Sequence, residues 1–376
     1  MTPVFLDHNA TTPLDARVLE AMAPWFGAPA NPSSAHRFGR AAREAVERAR
    51  AQVATLVNAR PGEVVFTSGG TESNNLAIVG LTGARAARVV VSVTEHPAVI
   101  EPARRAGARE VPVDADGKVD AAAFAEALGN GAAIASVMWA NNETGVIQDV
   151  AALARLSAEA GVPFHTDAVQ AVGKIPVDFR ASGARLLSLS AHKLYGPQGI
   201  GALVFDRTLT LEPPLLGGGQ QGGVRGGTES VALIVGFGAA AELAQVSRDD
   251  RTRHALLLRE RLEKGLAALG PVTVIAQTAA RLPNTTLFSV VGVEGETLLV
   301  ALDGAGFAVS SGSACASGRR EPSHVLQAMG VGQGEGVIRV STGQATKESD
   351  IDFFINALER LLSPGGGLVG GAVGGW

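Results

Sequence analysis

Between Glu63 and Phe205 the chain alternates short, β-rich apolar runs with segments that are mostly Ala-rich and helical in period, and this alternation restricts the fold more than any other feature. The runs are EVVF, RVVVSV, AAIASVMW, VPFH, RLLSLS and GALVF. Strands that take turns with helices build an α/β layer around a largely parallel sheet. Residues able to do chemistry fall just after these runs. They are Thr67 to Thr71 after VVF, Glu95 and His96 after VVVSV, Asn141 and Asn142 after ASVMW, Asp167 after VPFH, and His192 and Lys193 after LLSLS. Open α/β sheets bind ligands at the carboxyl ends of their strands, so these residues are expected to converge on one crevice.

After Gly227 the pattern changes. Residues 229–247 and 251–269 are predicted as two helices, the second with charges interleaved among leucines as on a half-exposed face. TVIAQ, NTTLFSV, FAVSS and VIRVS then alternate with helical ETLLVALDGA and KESDIDFFINALERLL, which predicts a smaller α+β domain. The expected division is a large domain over 15–250, a small domain from 1–14 plus 251–363, and a disordered glycine-rich tail over 364–376.

Composition removes several function classes. With 46% hydrophobic and 18% charged residues, the 376-residue chain has enough apolar material for packed cores. A formal net charge of -4 with both signs interspersed offers no field for a phosphate backbone, so nucleic acid is not an expected direct partner. The start MTPVFLDHNATTP lacks a signal-peptide pattern, and no later window is expected to approach the roughly 18 apolar residues of a membrane span, which predicts a cytoplasmic protein with no membrane partner. The single cysteine, Cys315, excludes an intrachain disulfide and any multi-thiolate zinc site; no metal is expected. It sits in SSGSACASGRR, a run of small residues, which leaves inert filler, an intermolecular link or a reactive thiol.

Three constellations carry chemistry. FTSGGTESNNLAIVG places glycines and hydroxyls between a strand and an apolar-periodic helix, where free N–H groups attract phosphate, although Thr71 or Ser68 could equally serve as an ordinary cap. HTDAVQ and SAHKLYGPQGIGAL place Asp167 and Lys193 after two short strands, so adjacent strands could deliver a carboxylate and an amine to one pocket. Pyridoxal phosphate needs that pair: a lysine to hold it covalently and a carboxylate to keep its ring nitrogen protonated. VIRVSTG buries Arg339 in an apolar strand, where its fork requires either a protein acid or a substrate carboxylate. The G-x-G-x-x-A match at Gly236, Gly238 and Ala241 lacks the second strand and acid of a dinucleotide site, and is read as helix-packing glycines. A thiol hydrolase on Cys315 and His324 lacks a residue placed to orient the imidazole.

These blocks together resemble the cysteine desulfurase family, pyridoxal-phosphate enzymes of the class V aminotransferase group. The resemblance runs from FLDHNATTP (5–13) to VIRVSTG (337–343), through NPSSAHRFGR, FTSGGTESNN, EHPAV, NNETG, HTDAVQ, SAHKLYGPQGIGAL, GGTE and SSGSACASG. It implies the aspartate aminotransferase-like architecture, fold type I, with a large mainly parallel-sheet domain. The SSGSAC form resembles the subgroup with a long mobile cysteine loop. The resemblance also implies roles. Lys193 would hold the cofactor and move the substrate's α-proton, His96 would stack on the ring, Asp167 would pair with the ring nitrogen and Gln170 with the ring oxygen. Gly70, Thr71, Ser190 and His192 would hold the phosphate, with Thr228 reaching the partner's phosphate in a homodimer. Asn142 and Arg339 would grip the carboxylate of L-cysteine, and Cys315 would take its sulfur and pass it to an acceptor, an iron–sulfur scaffold or a thiolation enzyme. A selenocysteine lyase or another β-lyase of the family, and a non-catalytic scaffold, are the alternatives. Gln221 and Gly226 depart from the family pattern, in which a Glu usually precedes an R-S-G-T turn.

Overall fold

The computed structural model describes residues 3–83, 88–129, 131–311, 323–331 and 336–363. In chain order the first strands are β1 (Val4–Phe5), β2 (Val64–Thr67), β3 (Val89–Ser92), β4 (Ala108–Val111), β5 (Ile134–Ser136) and β6 (Phe164–Asp167). They are followed by β7 (Leu186–Ser190), β8 (Gly201–Phe205), β9 (Val272–Val274), β10 (Thr285–Val290), β11 (Phe307–Ala308) and β12 (Gly336–Ser341).

The main sheet has the order β2-β8-β7-β6-β5-β3-β4. Strands β7, β6, β5, β3 and β4 are mutually parallel; β8 is antiparallel to both neighbours, so β2 runs the same way as β7. Every residue of β2, β3, β5, β6, β7 and β8 is buried, which explains why these strands read as unbroken apolar runs rather than alternating ones. Strand β4 escaped the sequence reading. It is the sheet edge, its exposed Arg109 and Glu110 are ion-paired to Glu126 and Arg104, and AREV carries no strand signature.

A second core gathers Leu6, Leu258, Leu262, Phe288, Phe307, Ile338 and Phe354 around the antiparallel sheet β12-β10-β9 and the parallel pair β1-β11. The two expected helices after Gly227 are one, Val231–Ala267, 37 residues long. Its middle, residues 247–251, is a polar run with no glycine or proline, so nothing there breaks the helix. The helix joins the cores: Ile234, Phe237 and Ala241 pack with the main sheet, Leu258, Leu262 and Leu266 with the second core. By length and composition it could cross a membrane, contrary to the expectation that no window would, yet half of its most apolar window is buried inside the protein. Gly236 and Gly238 lie within it, where a Cβ would stand 2.5 Å from Met22 Sδ and 2.7 Å from Ala49 Cα. They are helix-packing glycines.

Candidate active site

The pairing of β6 with β7 sets His165 against Leu186 and Asp167 against Ser188, so both strands end at one edge of the sheet. Asp167 closes β6; Ser190 closes β7, and Lys193 follows within one turn of 3₁₀ helix, Ala191–Lys193. Just beyond it Tyr195 takes a left-handed φ of 66°, a strained conformation for a bulky residue, held where Thr12 Oγ1 accepts from its N–H and Asp15 N–H donates to its carbonyl. On the far side of β8, β2 leads into Gly69 and the helix Gly70–Thr82. Its turn crosses directly over Gly201, where a Cβ would lie 2.6 Å from the Gly69 carbonyl carbon.

These strand ends enclose a cavity of about 290 Å³. Every site residue singled out in the sequence borders it except Thr228 and Cys315: Gly70, Thr71, His96, Asn142, Asp167, Gln170, Ser190, His192, Lys193 and Arg339. Thr228 is exposed and off this cavity. Cys315, with Arg319 and Arg320, lies outside the described residues, as does the tail over 364–376.

The Asp167 carboxylate accepts from Asn74 Nδ2 at 2.6 Å and from the Val169 N–H at 2.9 Å. His96 caps the helix Pro97–Ala106, its Nδ1 accepting from the Ala98 N–H at 3.1 Å. Burial chiefly lowers its pKa, with Lys193 and His324 adding to the shift and Asp167 opposing it, so the imidazole is neutral and carries its proton on Nε2. His192 is held down to about 4 by burial, then by Lys193 and Lys174. Lys193 Nζ donates to the carbonyls of Asn9 and, at 2.7 Å, Ala10. Arg339 Nη2 pairs with Asp7 at 2.6 Å and Nη1 donates to the Asn142 carbonyl at 2.8 Å. A protein acid thus satisfies one arm of the buried fork, while its Nε has no partner among the described residues. His324, weighed as a partner for the thiol, has its Nε2 2.9 Å from the Glu95 carbonyl oxygen.

The sequence reading missed Asn9 as the hub of this site. Its carbonyl accepts from Lys193 and Gln170, its Oδ1 from Lys174 and Asn284, and its Nδ2 donates to Thr285 and Asn142. It also missed Lys174, which lies in a turn with no helical pattern to pair it with Gln170, and whose other partner, Asn9, is distant in sequence.

The aminotransferase class-V family model matches residues 4–354. A cysteine desulfurase of Gluconacetobacter diazotrophicus is 45% identical, with 96% of this chain and 94% of the relative covered. The chain belongs to the cysteine desulfurase family. Among solved structures, a NifS-like protein from Rickettsia africae is 35% identical with a TM-score of 0.90, covering 96% of this chain and 99% of that one. SspA in complex with cysteine is 32% identical with a TM-score of 0.80, over 90% and 98%.

Cysteine desulfurases of this class use pyridoxal phosphate. The residues here fit it. A carboxylate and an amine face one cavity, the amine beside a neutral imidazole, and a glycine turn at a 13-residue helix's start offers N–H groups to a phosphate. The orphaned Arg339 Nε adds a donor suited to a carboxylate.

Proposed function

We propose that the chain converts L-cysteine to L-alanine and transfers the sulfur to Cys315, with Lys193, Asp167 and Arg339 at one cavity as the observation that carries the reading. Asp167 would hold the proton of the ring nitrogen, Gln170 the ring oxygen, and His96 the ring face. Gly70, Thr71, Ser190 and His192 would hold the phosphate. When bound, the cofactor makes the substrate's α-proton acidic and stores the electron pair that C–S cleavage needs. Arg339 and Asn142 orient the substrate carboxylate, and Lys193 Nζ takes the α-proton. The Cys315 thiolate attacks the substrate sulfur, the C–S bond breaks, and protonation of the carbon fragment gives alanine, leaving Cys315 as a persulfide. No other thiol exists in the chain to resolve it, so the sulfur leaves to an acceptor protein for iron–sulfur cluster assembly or thiolation.

The exposed position of Thr228, off its own chain's cavity, supports its reaching the partner's phosphate in a homodimer. The two cores support a division near residue 250, within the long helix.

Incubating purified protein with L-cysteine and a reductant, and measuring alanine and sulfide, tests this reading. Wild type is expected to be yellow and to release both. Cys315→Ser should stay yellow and stop releasing sulfide; Lys193→Ala should lose the yellow band. Desulfuration at the wild-type rate by Cys315→Ser overturns the nucleophile, and no alanine from wild type overturns the reaction.

A further inference from the structure

The turn in FTSGGTESNN cradles a phosphate through Gly70 and Thr71, and that reading leaves its asparagines without a task. Asn74 is the buried one, 1% exposed and three residues past Thr71 in the helix Gly70–Thr82. An asparagine in so dry a position costs stability unless its amide is bonded. Its Nδ2 donates to Asp167 Oδ2 at 2.6 Å, while its Oδ1 has no partner among the described residues. The amide is therefore committed through its NH₂ group alone, and a flip would set one oxygen against another.

The two hydrogen bonds that the Asp167 carboxylate accepts, from Asn74 on Oδ2 and from the Val169 N–H on Oδ1, both come from neutral groups. The buried arginines are paired elsewhere, Arg281 with Glu263 and Arg339 with Asp7. Each Asp167 oxygen keeps a lone pair, and the buried carboxylate still lacks a cation, which a protonated ring nitrogen supplies. The second donor is also tied to the phosphate end: a Cβ on Gly70 would stand 2.9 Å from Val169 Cγ2, so the start of the helix rests on the turn that follows Asp167. Two titratable neighbours feel the Asp167 charge. Burial holds the Glu95 carboxyl well above its usual range, so Glu95 brings no second negative charge, and the His96 imidazole is neutral.

We propose that Asn74 is a positioning residue that locks the orientation of the Asp167 carboxylate, so that one helix serves both ends of the cofactor. Its first turn, at Gly70 and Thr71, meets the phosphate, and Asn74 steadies the acid that faces the ring nitrogen. The rise of about 1.5 Å per residue fixes the spacing between these two contacts. Without the Asn74 amide, Oδ2 loses its one protein donor and the carboxylate is freer to turn about its broad terminal torsion. A turned carboxylate stabilises a proton on the ring nitrogen less. The proposal rests on Asp167 being the partner of that nitrogen.

The test loads wild type, Asn74→Ala, Asn74→Leu and Asp167→Asn with pyridoxal phosphate carrying ¹⁵N in its ring, and follows the ring-nitrogen NMR signal between about pH 6 and 9. Wild type is expected to hold the protonated position throughout, and both Asn74 variants to move toward the unprotonated one within this range. Their kcat for alanine formation should fall about tenfold, with KM for L-cysteine changed less. Leucine fills similar space without a donor, and alanine covers the case in which leucine cannot be packed. A wild-type signal across the range in either Asn74 variant overturns the positioning role, even where that variant unfolds more easily. An unprotonated ring nitrogen in wild type, or a wild-type signal in Asp167→Asn, would instead refute Asp167 as its partner.

Discussion

The Glu143 carboxylate accepts from the Ser323 hydroxyl at 2.6 Å, joining the NNETG turn to the residue that caps the helix His324–Ala328. Burial raises Glu143 to about 7, against the opposing pull of the Ser323 hydrogen bond and the Arg339 charge. The folded protein therefore holds a proton that the unfolded chain has released by about pH 5. This contribution to stability is full below the ordinary carboxyl range and is lost as pH rises through about 7. Glu143→Gln keeps an acceptor for Ser323 and does not ionise. Urea unfolding of both proteins should show the variant gaining on wild type between about pH 5 and 8, by on the order of 2 to 3 kcal/mol at the upper end. A difference that does not change with pH would refute the assignment.

Arg339 offers a buried fork whose Nη2 is paired with Asp7 and whose Nε is unsatisfied. Lysine cannot reproduce that fork. Steady-state kinetics of Arg339→Lys should show KM for L-cysteine raised about tenfold or more, with kcat changed less. An unchanged KM with a collapsed kcat would place Arg339 elsewhere in the reaction.

Gly201 lies under the Gly69 turn, with no room for a methyl group between Gly69 and the Leu189 carbonyl oxygen, also 2.6 Å from the added Cβ. Forcing one in costs about 1 to 3 kcal/mol and displaces the turn that leads into Gly70 and Thr71. Absorbance titration of the Gly201→Ala apoprotein should give an apparent Kd for pyridoxal phosphate about tenfold weaker than wild type. Wild-type affinity would detach this turn from cofactor binding.

Gln221 explains one of the two departures from the family pattern. Its Oε1 accepts from the Phe66 N–H at 2.8 Å and from Arg50 at 2.9 Å, and its Nε2 donates to Glu229. The loop is thereby docked on the free edge of β2 in its own chain. Gln221→Ala leaves the buried Phe66 N–H without its acceptor and should lower unfolding stability by about 1 to 3 kcal/mol, read from the denaturant midpoint at constant m-value. Gly226, the other departure, packs against the backbone of Gly217, where a Cβ would stand 2.7 Å from its Cα.

What was legible in the sequence is what depends on residue type and local period. Asp167 and Lys193 were found because a carboxylate and an amine each followed a buried apolar run, and neighbouring parallel strands then put them at one edge. Strand β4 was not legible because an edge strand needs no apolar run, and the helix Val231–Ala267 was split because a solvated polar stretch looks like a linker until both halves are seen packed. Asn9, Glu143 and Lys174 were overlooked for a different reason. Asn9 meets Thr285 across 276 positions and Glu143 meets Ser323 across 180, so their partners exist only once both cores are assembled.

The helix that runs through both cores also governs how the chain comes apart. A cut near residue 250 would sever one hydrogen-bonded rod and leave each fragment with an apolar stripe facing water: Ile234 and Phe237 on one, Leu258 and Leu262 on the other. Proteolytic nicking there, or expression as two halves, would yield pieces that aggregate or recombine and no autonomous unit, despite the two cores.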